Sequence, residues 1–197
     1  MGECYFAFVI DMRVRPHVTR FMEPIGRGLA RIGMTPTLMT VLGLLVCITG
    51  AVVIAMGHLT LGAVIFAIGT LLDGLDGAVA RASDRVSERG AFLDAAFDRM
   101  TEVAAFAGLA FAMEGRPRLL VLIVVALGGA MLVPYMRAKA EAFGIDGRGG
   151  LMGRAERVML FTLGLLTGQI EVMLWIFVVL VWMTAFSRFW KTYRSIP

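Results

Sequence analysis

The chain has 197 residues, 58% of them hydrophobic and 17% charged, with a formal net charge of +4. Soluble domains carry about 25% charged residues, so this composition excludes a soluble globular domain and points to an all-α, polytopic membrane protein of one domain's length. The positive charge is gathered in short connections between apolar runs, where it reports membrane orientation, and no nucleic-acid motif accompanies it.

Cys4 to Ile10 is an apolar run too short for a span, with no basic region before it, and is not expected to be a signal peptide. From Arg13 to Arg31, Arg13, Arg15, Arg20, Arg27 and Arg31 interleave with Val14, Val18, Phe21, Met22, Ile25, Leu29 and Ile32 at steps of three and four. That pattern predicts an amphipathic helix in the headgroup layer, with Pro24 able to kink it. Residues 1–34 are therefore expected to form a juxtamembrane segment, and 35–197 a domain of six transmembrane helices.

Thr35-Pro36 opens the first span, which is expected to run to about Met56, proline being suited to a first helical turn. His58 lies in the turn before a second span, residues 60–82, and is read as an interfacial side chain. A polar link from Ala82 to Arg89 leads to a third span, about Gly90 to Met113, in which Glu102 is placed to partner Arg99. Ala104, Ala105, Ala107, Gly108 and Ala110 make a smooth strip there, suited to close helix contact or to a homodimer seam. After Glu114 to Arg118, a fourth span runs to about Ala138 and is followed by a Gly-rich loop. Arg154 to Thr167 is the fifth span and Val172 to Phe189 the sixth, with Trp190, Lys191, Tyr193 and Arg194 as its interfacial anchor. Sixteen Lys or Arg fall in the N-terminal segment, the second-to-third and fourth-to-fifth loops and the C-terminus; the opposite loops hold only Arg116 and Arg118. Both termini are expected on the cytoplasmic side of a prokaryotic cell membrane. Cys4 and Cys47 show neither metal-ligand spacing nor grounds for a pair.

Asp73, Asp76, Asp94 and Asp98 stand within or at the ends of two of these apolar runs. Carboxylates are expensive in hydrocarbon and face a wet cavity, a partner charge or a metal when found there. Helical spacing puts Asp73, Asp76, Gly77 and Ala80 on one stripe and Gly90, Asp94 and Asp98 on another. Facing one another, the stripes would form an all-oxygen site that two divalent ions could neutralise, and hard carboxylate ligands favour Mg²⁺ or Mn²⁺. A divalent-cation transporter is the alternative class. Against it, the acids gather near one membrane face, Arg81 and Arg99 lie beside them, and no inverted repeat is visible.

Asp73-x-x-Asp76-Gly77-x-x-Ala80-Arg81, eight further residues, then Gly90-x-x-x-Asp94-x-x-x-Asp98 resembles the complete signature of the CDP-alcohol phosphotransferase family of membrane enzymes. The resemblance implies transfer of a substituted phosphate from a CDP-linked donor such as CDP-diacylglycerol to an alcohol, with release of CMP. It implies Asp73, Asp76, Asp94 and Asp98 as metal ligands, with Asp98 also taking the acceptor's hydroxyl proton. Gly77 and Ala80 would admit the cytidine, Arg81 would hold a donor phosphate, and Asp73 and Thr40 would complete the donor contacts. The opening of the first span is similar to the family's Pro-Asn-x-x-Thr, except that Thr37 replaces the asparagine.

Arg137, Lys139, Arg154, Arg157 and Arg188 all fall at the expected cytoplasmic ends of spans, where they could surround an anionic headgroup. Tyr135 to Glu141, the Gly-rich loop and Arg154-x-Glu156-Arg157 resemble the branch of the family that uses inositol 1-phosphate. Glycerol 3-phosphate is the alternative acceptor within the family.

Overall fold

The protein is described by a computed structural model covering residues 22–196. The described residues are helical wherever they have regular structure, and they divide into two compact units, Asp11–Ala112 and Met113–Pro197. Most of the expected amphipathic helix from Arg13 lies outside the described residues; its last part, residues 22–31, is helical (α1).

In the Asp11–Ala112 unit, α1 is followed by α2 (Pro36–Ala55), α3 (Leu59–Gly74), α4 (Asp76–Ala82) and α5 (Glu88–Ala112). Thr35 caps α2, its side chain accepting from Leu38 N at 3.2 Å, and Pro36 fills the first turn, where a missing N–H costs nothing. Gly43 and Gly50 on α2, and Gly62 and Gly69 on α3, each recur after seven residues, and the two helices pack antiparallel through them. A Cβ on Gly43 would stand 2.8 Å from Asp73 Cβ, and one on Gly69 2.7 Å from Cys47 N, so this contact is backbone against backbone. Cys47 is fully buried in the same seam, its thiol 3.7 Å from Phe66 O.

The expected second span is not one uninterrupted helix. At Leu75 the backbone N–H bonds Leu72 O at 3.1 Å, three residues back instead of four, and α4 restarts with Val79 N on Leu75 O at 2.9 Å. Gly74, a poor helix former, precedes the step. Ser87 then starts α5, its Oγ accepting from Gly90 N at 3.1 Å. Part of the small-residue strip of α5 is occupied within the chain: Ala105 and Gly108 are buried, and a Cβ on Gly108 would collide with the backbone of Ala51 in α2. At Gly108 the strip makes the close helix contact expected of it, with α2 of the same chain.

In the Met113–Pro197 unit, α6 (Pro117–Ala142) and α7 (Arg154–Thr167) both pack on α8 (Ile170–Ser195). Gly129 lets α6 approach Val181 and Trp182, and Trp182 Nε1 donates to Val125 O at 3.1 Å. α7 ends at Gly168 in the left-handed region, φ 70°, a conformation that glycine adopts without Cβ strain. α6 and α8 both continue past the expected span ends at Ala138 and Phe189, as their Lys- and Arg-bearing last turns remain helical.

Among the described residues, four helical stretches are long and apolar enough to cross a bilayer: Pro36–Ala55, Leu59–Ala82, Pro117–Ala142 and Ile170–Ser195. The chain is an integral membrane protein on that basis. α5 has sufficient length, 25 residues, but carries Glu88, Arg89, Asp94, Asp98, Arg99 and Glu102. α7 has 14 residues, a rise of about 21 Å against a hydrocarbon core of about 30 Å. Neither meets the length-and-composition test that the other four pass.

Candidate active site

Asp73, Asp76 and Asp94 converge. One carboxylate oxygen from each lies within 4.8 Å of the others. The step at Leu75 separates Asp73, on the last turn of α3, from Asp76, the first residue of α4, and α5 supplies Asp94. Asp73 is only 2% exposed, so a full charge there needs a counter-charge close by. At an effective dielectric of about 20, two ionised carboxylates at such a separation repel by roughly 3 kcal/mol, and a bound cation reverses that sign.

The cluster has a supporting shell. Thr40 Oγ1, on α2, donates to Asp76 Oδ2 at 2.9 Å, with Pro36 O as a second acceptor at 3.0 Å. Thr40 is buried, so the side chain expected among the donor contacts is in place as a partner of a carboxylate. Gly43, by lacking a side chain, lets α2 lie against Asp73 itself.

Asp98 stands outside the triad. Its Oδ2 is 3.4 Å from Arg99 Nη2, while Arg99 Nη1 bonds Glu102 Oε2 at 3.2 Å. Glu102 thus partners Arg99, as its position one turn beyond Asp98 leads one to expect. Arg81, the last-turn cation of α4, is exposed, with its Nη1 3.4 Å from where a Cβ on Gly77 would lie. Gly77 and Ala80 are half-buried on the same short helix as Arg81, while the other residues expected at the donor, Thr40 and Asp73, lie on α2 and α3.

The five basic residues expected at the acceptor all belong to the Met113–Pro197 unit, in differing settings. Arg157 is 3% exposed and its Nη1 donates to Met152 O at 3.1 Å. Arg188 donates from Nε to Gly149 O at 2.9 Å and from Nη1 to Val133 O at 2.7 Å. The like charges of Arg137 and Arg157 act on Arg188, opposed by Glu141. Arg137 pairs with Glu141 at 2.8 Å, Lys139 lies over the Tyr135 ring at 6.0 Å, and Arg154 opens α7 half-buried. Arg188 thus spends two donors on backbone while lying near enough to Arg137 and Arg157 for their charges to act on it.

Sequence reasoning missed Gly43, Gly150 and Thr184, whose importance is a matter of close approach between separate elements. The seven-residue glycine repeat is the signal that could have found the first of them.

A membrane chain in which carboxylates from three helices converge, with several arginines in its other unit, has the parts of a metal-assisted transferase acting on phosphate esters. The family model for CDP-alcohol phosphatidyltransferase matches residues 33–190, and the chain belongs to that family. It is 39% identical over 155 residues to a phosphatidylinositol phosphate synthase of Mycobacterium tuberculosis, covering 76% of this chain and 71% of that protein. It is 31% identical over 185 residues to an archaetidylinositol phosphate synthase of Pyrococcus horikoshii, covering 93% and 97%. Crystal structures of the M. tuberculosis phosphatidylinositol phosphate synthase align closely. The form with CDP-DAG bound has a TM-score of 0.81 at 32% identity, covering 88% of this chain and 94% of that one. The form in complex with manganese and citrate has a TM-score of 0.81 at 31% identity, covering 87% and 88%.

Proposed function

We propose that the protein transfers the phosphatidyl group of CDP-diacylglycerol to inositol 1-phosphate, giving phosphatidylinositol phosphate and CMP. The carboxylate triad of Asp73, Asp76 and Asp94 carries the reading, because it accounts for acids that the membrane would otherwise exclude. All its donors are carboxylate oxygens, which suits Mg²⁺ or Mn²⁺, and the manganese in the M. tuberculosis structure supports the same choice. A pair of such ions would spread the charge of the donor diphosphate and stabilise the departing CMP.

The chain's own residues do the rest. Asp73, Asp76 and Asp94 hold the metal side of the donor, with Asp98 beside them on α5. Gly77 and Ala80 leave room for the cytidine, and Arg81 holds a donor phosphate. Asp98, steadied by Arg99, takes the proton of the attacking hydroxyl as its oxygen bonds to the lipid-side phosphorus and the bond to CMP breaks. Arg137, Lys139, Arg154, Arg157 and Arg188 bind the phosphate of the acceptor.

The two relatives are named for phosphatidylinositol phosphate and archaetidylinositol phosphate synthesis, which supports inositol phosphate over glycerol 3-phosphate. Radiolabelled CDP-diacylglycerol, offered with each alcohol in turn in Mg²⁺-containing membranes, tests the choice. Labelled phosphatidylinositol phosphate is the expected product, and labelled phosphatidylglycerol phosphate alone would overturn it.

The membrane arrangement that goes with this reading has six spans, with α5 and α7 completing the four apolar stretches. Both termini lie in the cytoplasm of a prokaryote, and two copies form a homodimer among the membrane lipids.

A further inference from the structure

The Gly-rich loop between α6 and α7 is tied down by side chains of α8, and one of them holds two backbone groups at once. Thr184 Oγ1 accepts from Leu151 N at 3.2 Å and from Met152 N at 3.1 Å. Its own proton goes to Leu180 O at 2.8 Å, so the hydroxyl's one donor and two acceptor sites are all used. Thr184 is 1% exposed and Met152 2%, which keeps water from substituting for the hydroxyl.

Three further ties act along the same segment: Arg188 Nε to Gly149 O at 2.9 Å, Lys191 Nζ to Arg148 O at 3.2 Å, and Arg157 Nη1 to Met152 O at 3.1 Å. Gly150 closes the fit. Its φ of +100° favours glycine, and any Cβ there would strike Thr184 Cγ2.

We infer that Thr184 is a positioning residue for the acceptor. By fixing Leu151 and Met152 it sets the entry of α7, and with it the guanidinium groups of Arg154 and Arg157, without touching substrate. The inference rests on the reading of these arginines as the acceptor-phosphate site. The geometry distinguishes two kinds of residue within the cluster: those that face the anion, and the hydroxyl that aims them.

The test uses the full-length enzyme in lipid nanodiscs with Thr184→Val, which keeps shape and removes the acceptor oxygen, Thr184→Ser, which restores it, and Gly150→Ala, which pushes the loop off the same anchor. In Thr184→Val and Gly150→Ala, hydrogen exchange at the Leu151 and Met152 amides should quicken about tenfold. The KM for the phosphorylated acceptor should rise about tenfold while that for CDP-diacylglycerol stays within about twofold, and Thr184→Ser should return both readouts toward wild type. Unchanged exchange at these amides, or equal rises in both KM values, overturns the inference. Failure of the inositol phosphate reading shows separately, as wild-type turnover with a different phosphorylated alcohol; the same KM comparison is then made with that alcohol and decides Thr184's role just as well.

Discussion

Thr40 and Asp76 are 36 positions apart in the chain, yet Thr40 Oγ1 donates to Asp76 Oδ2 at 2.9 Å. The bond joins α2 to the first residue of α4 and orients a carboxylate of the triad. Partners of this kind typically contribute 10–100-fold to metal affinity, roughly, when the ligand they hold is released by mutation. Thr40→Val should therefore weaken Mn²⁺ binding by about 10-fold or more, and Thr40→Ser by much less. Calorimetric titration of the purified variants with Mn²⁺ reads this directly, and equal affinities for the two variants would argue against it.

Asp94 and Asp98 share a helix face but differ in surroundings, one in the triad and the other against Arg99. Asp94→Asn should abolish Mn²⁺ binding and turnover together. Asp98→Asn should retain most of the affinity yet lose turnover by about 10²–10⁴-fold, the usual contribution of a general base. Mn²⁺ titration beside a CMP-release assay separates the two, and parallel losses in both variants would make Asp98 a ligand first.

Gly43→Ala would place a Cβ 2.8 Å from Asp73 Cβ and 2.9 Å from its backbone N. Neither neighbour is a flexible chain end, so α2 and α3 must separate. An overpacking cost of about 1–3 kcal/mol is expected, with Mn²⁺ affinity lowered because Asp73 moves too. Thermal unfolding in detergent and the Mn²⁺ titration should shift together.

Arg154→Ala should raise the KM for inositol 1-phosphate by about 10-fold or more, the order expected for a lost charge-assisted hydrogen bond, with little change in the KM for CDP-diacylglycerol. Steady-state kinetics with each substrate varied in turn gives the comparison. Equal rises would remove Arg154 from the acceptor site.

In the loop after α6, Asp146 Oδ1 accepts from Arg148 N at 3.0 Å, and this bond holds the Asp146 carboxyl below its ordinary value. A depressed folded-state value stabilises the turn above the unfolded value of about 3.9, and that contribution is lost as pH falls through the folded one. The Asp146 side-chain NMR signal should titrate with a midpoint below about 3.9, and Asp146→Asn should remove that pH dependence from the Arg148 amide.

The membrane class, the apolar helices and the acids that converge at Asp73, Asp76 and Asp94 were legible in the sequence because they depend on local quantities. Hydrophobic run length decides whether a helix can span, and three- and four-residue spacing decides which acids share a face. Thr35-Pro36 likewise announces a helix start through groups only a few residues away. Tertiary structure alone decided that Thr40 faces Asp76, that Gly43 makes room for Asp73, and that the partner of Gly108 is Ala51 of α2. It likewise decided that Arg188 and Thr184 grip a loop 32 to 39 positions away. Such contacts arise where the backbones of separate helices meet, and the approach is governed by missing side chains and by buried groups that must find partners. A one-dimensional pattern records the residues that permit this packing, but the pairing itself follows from filling space in three dimensions.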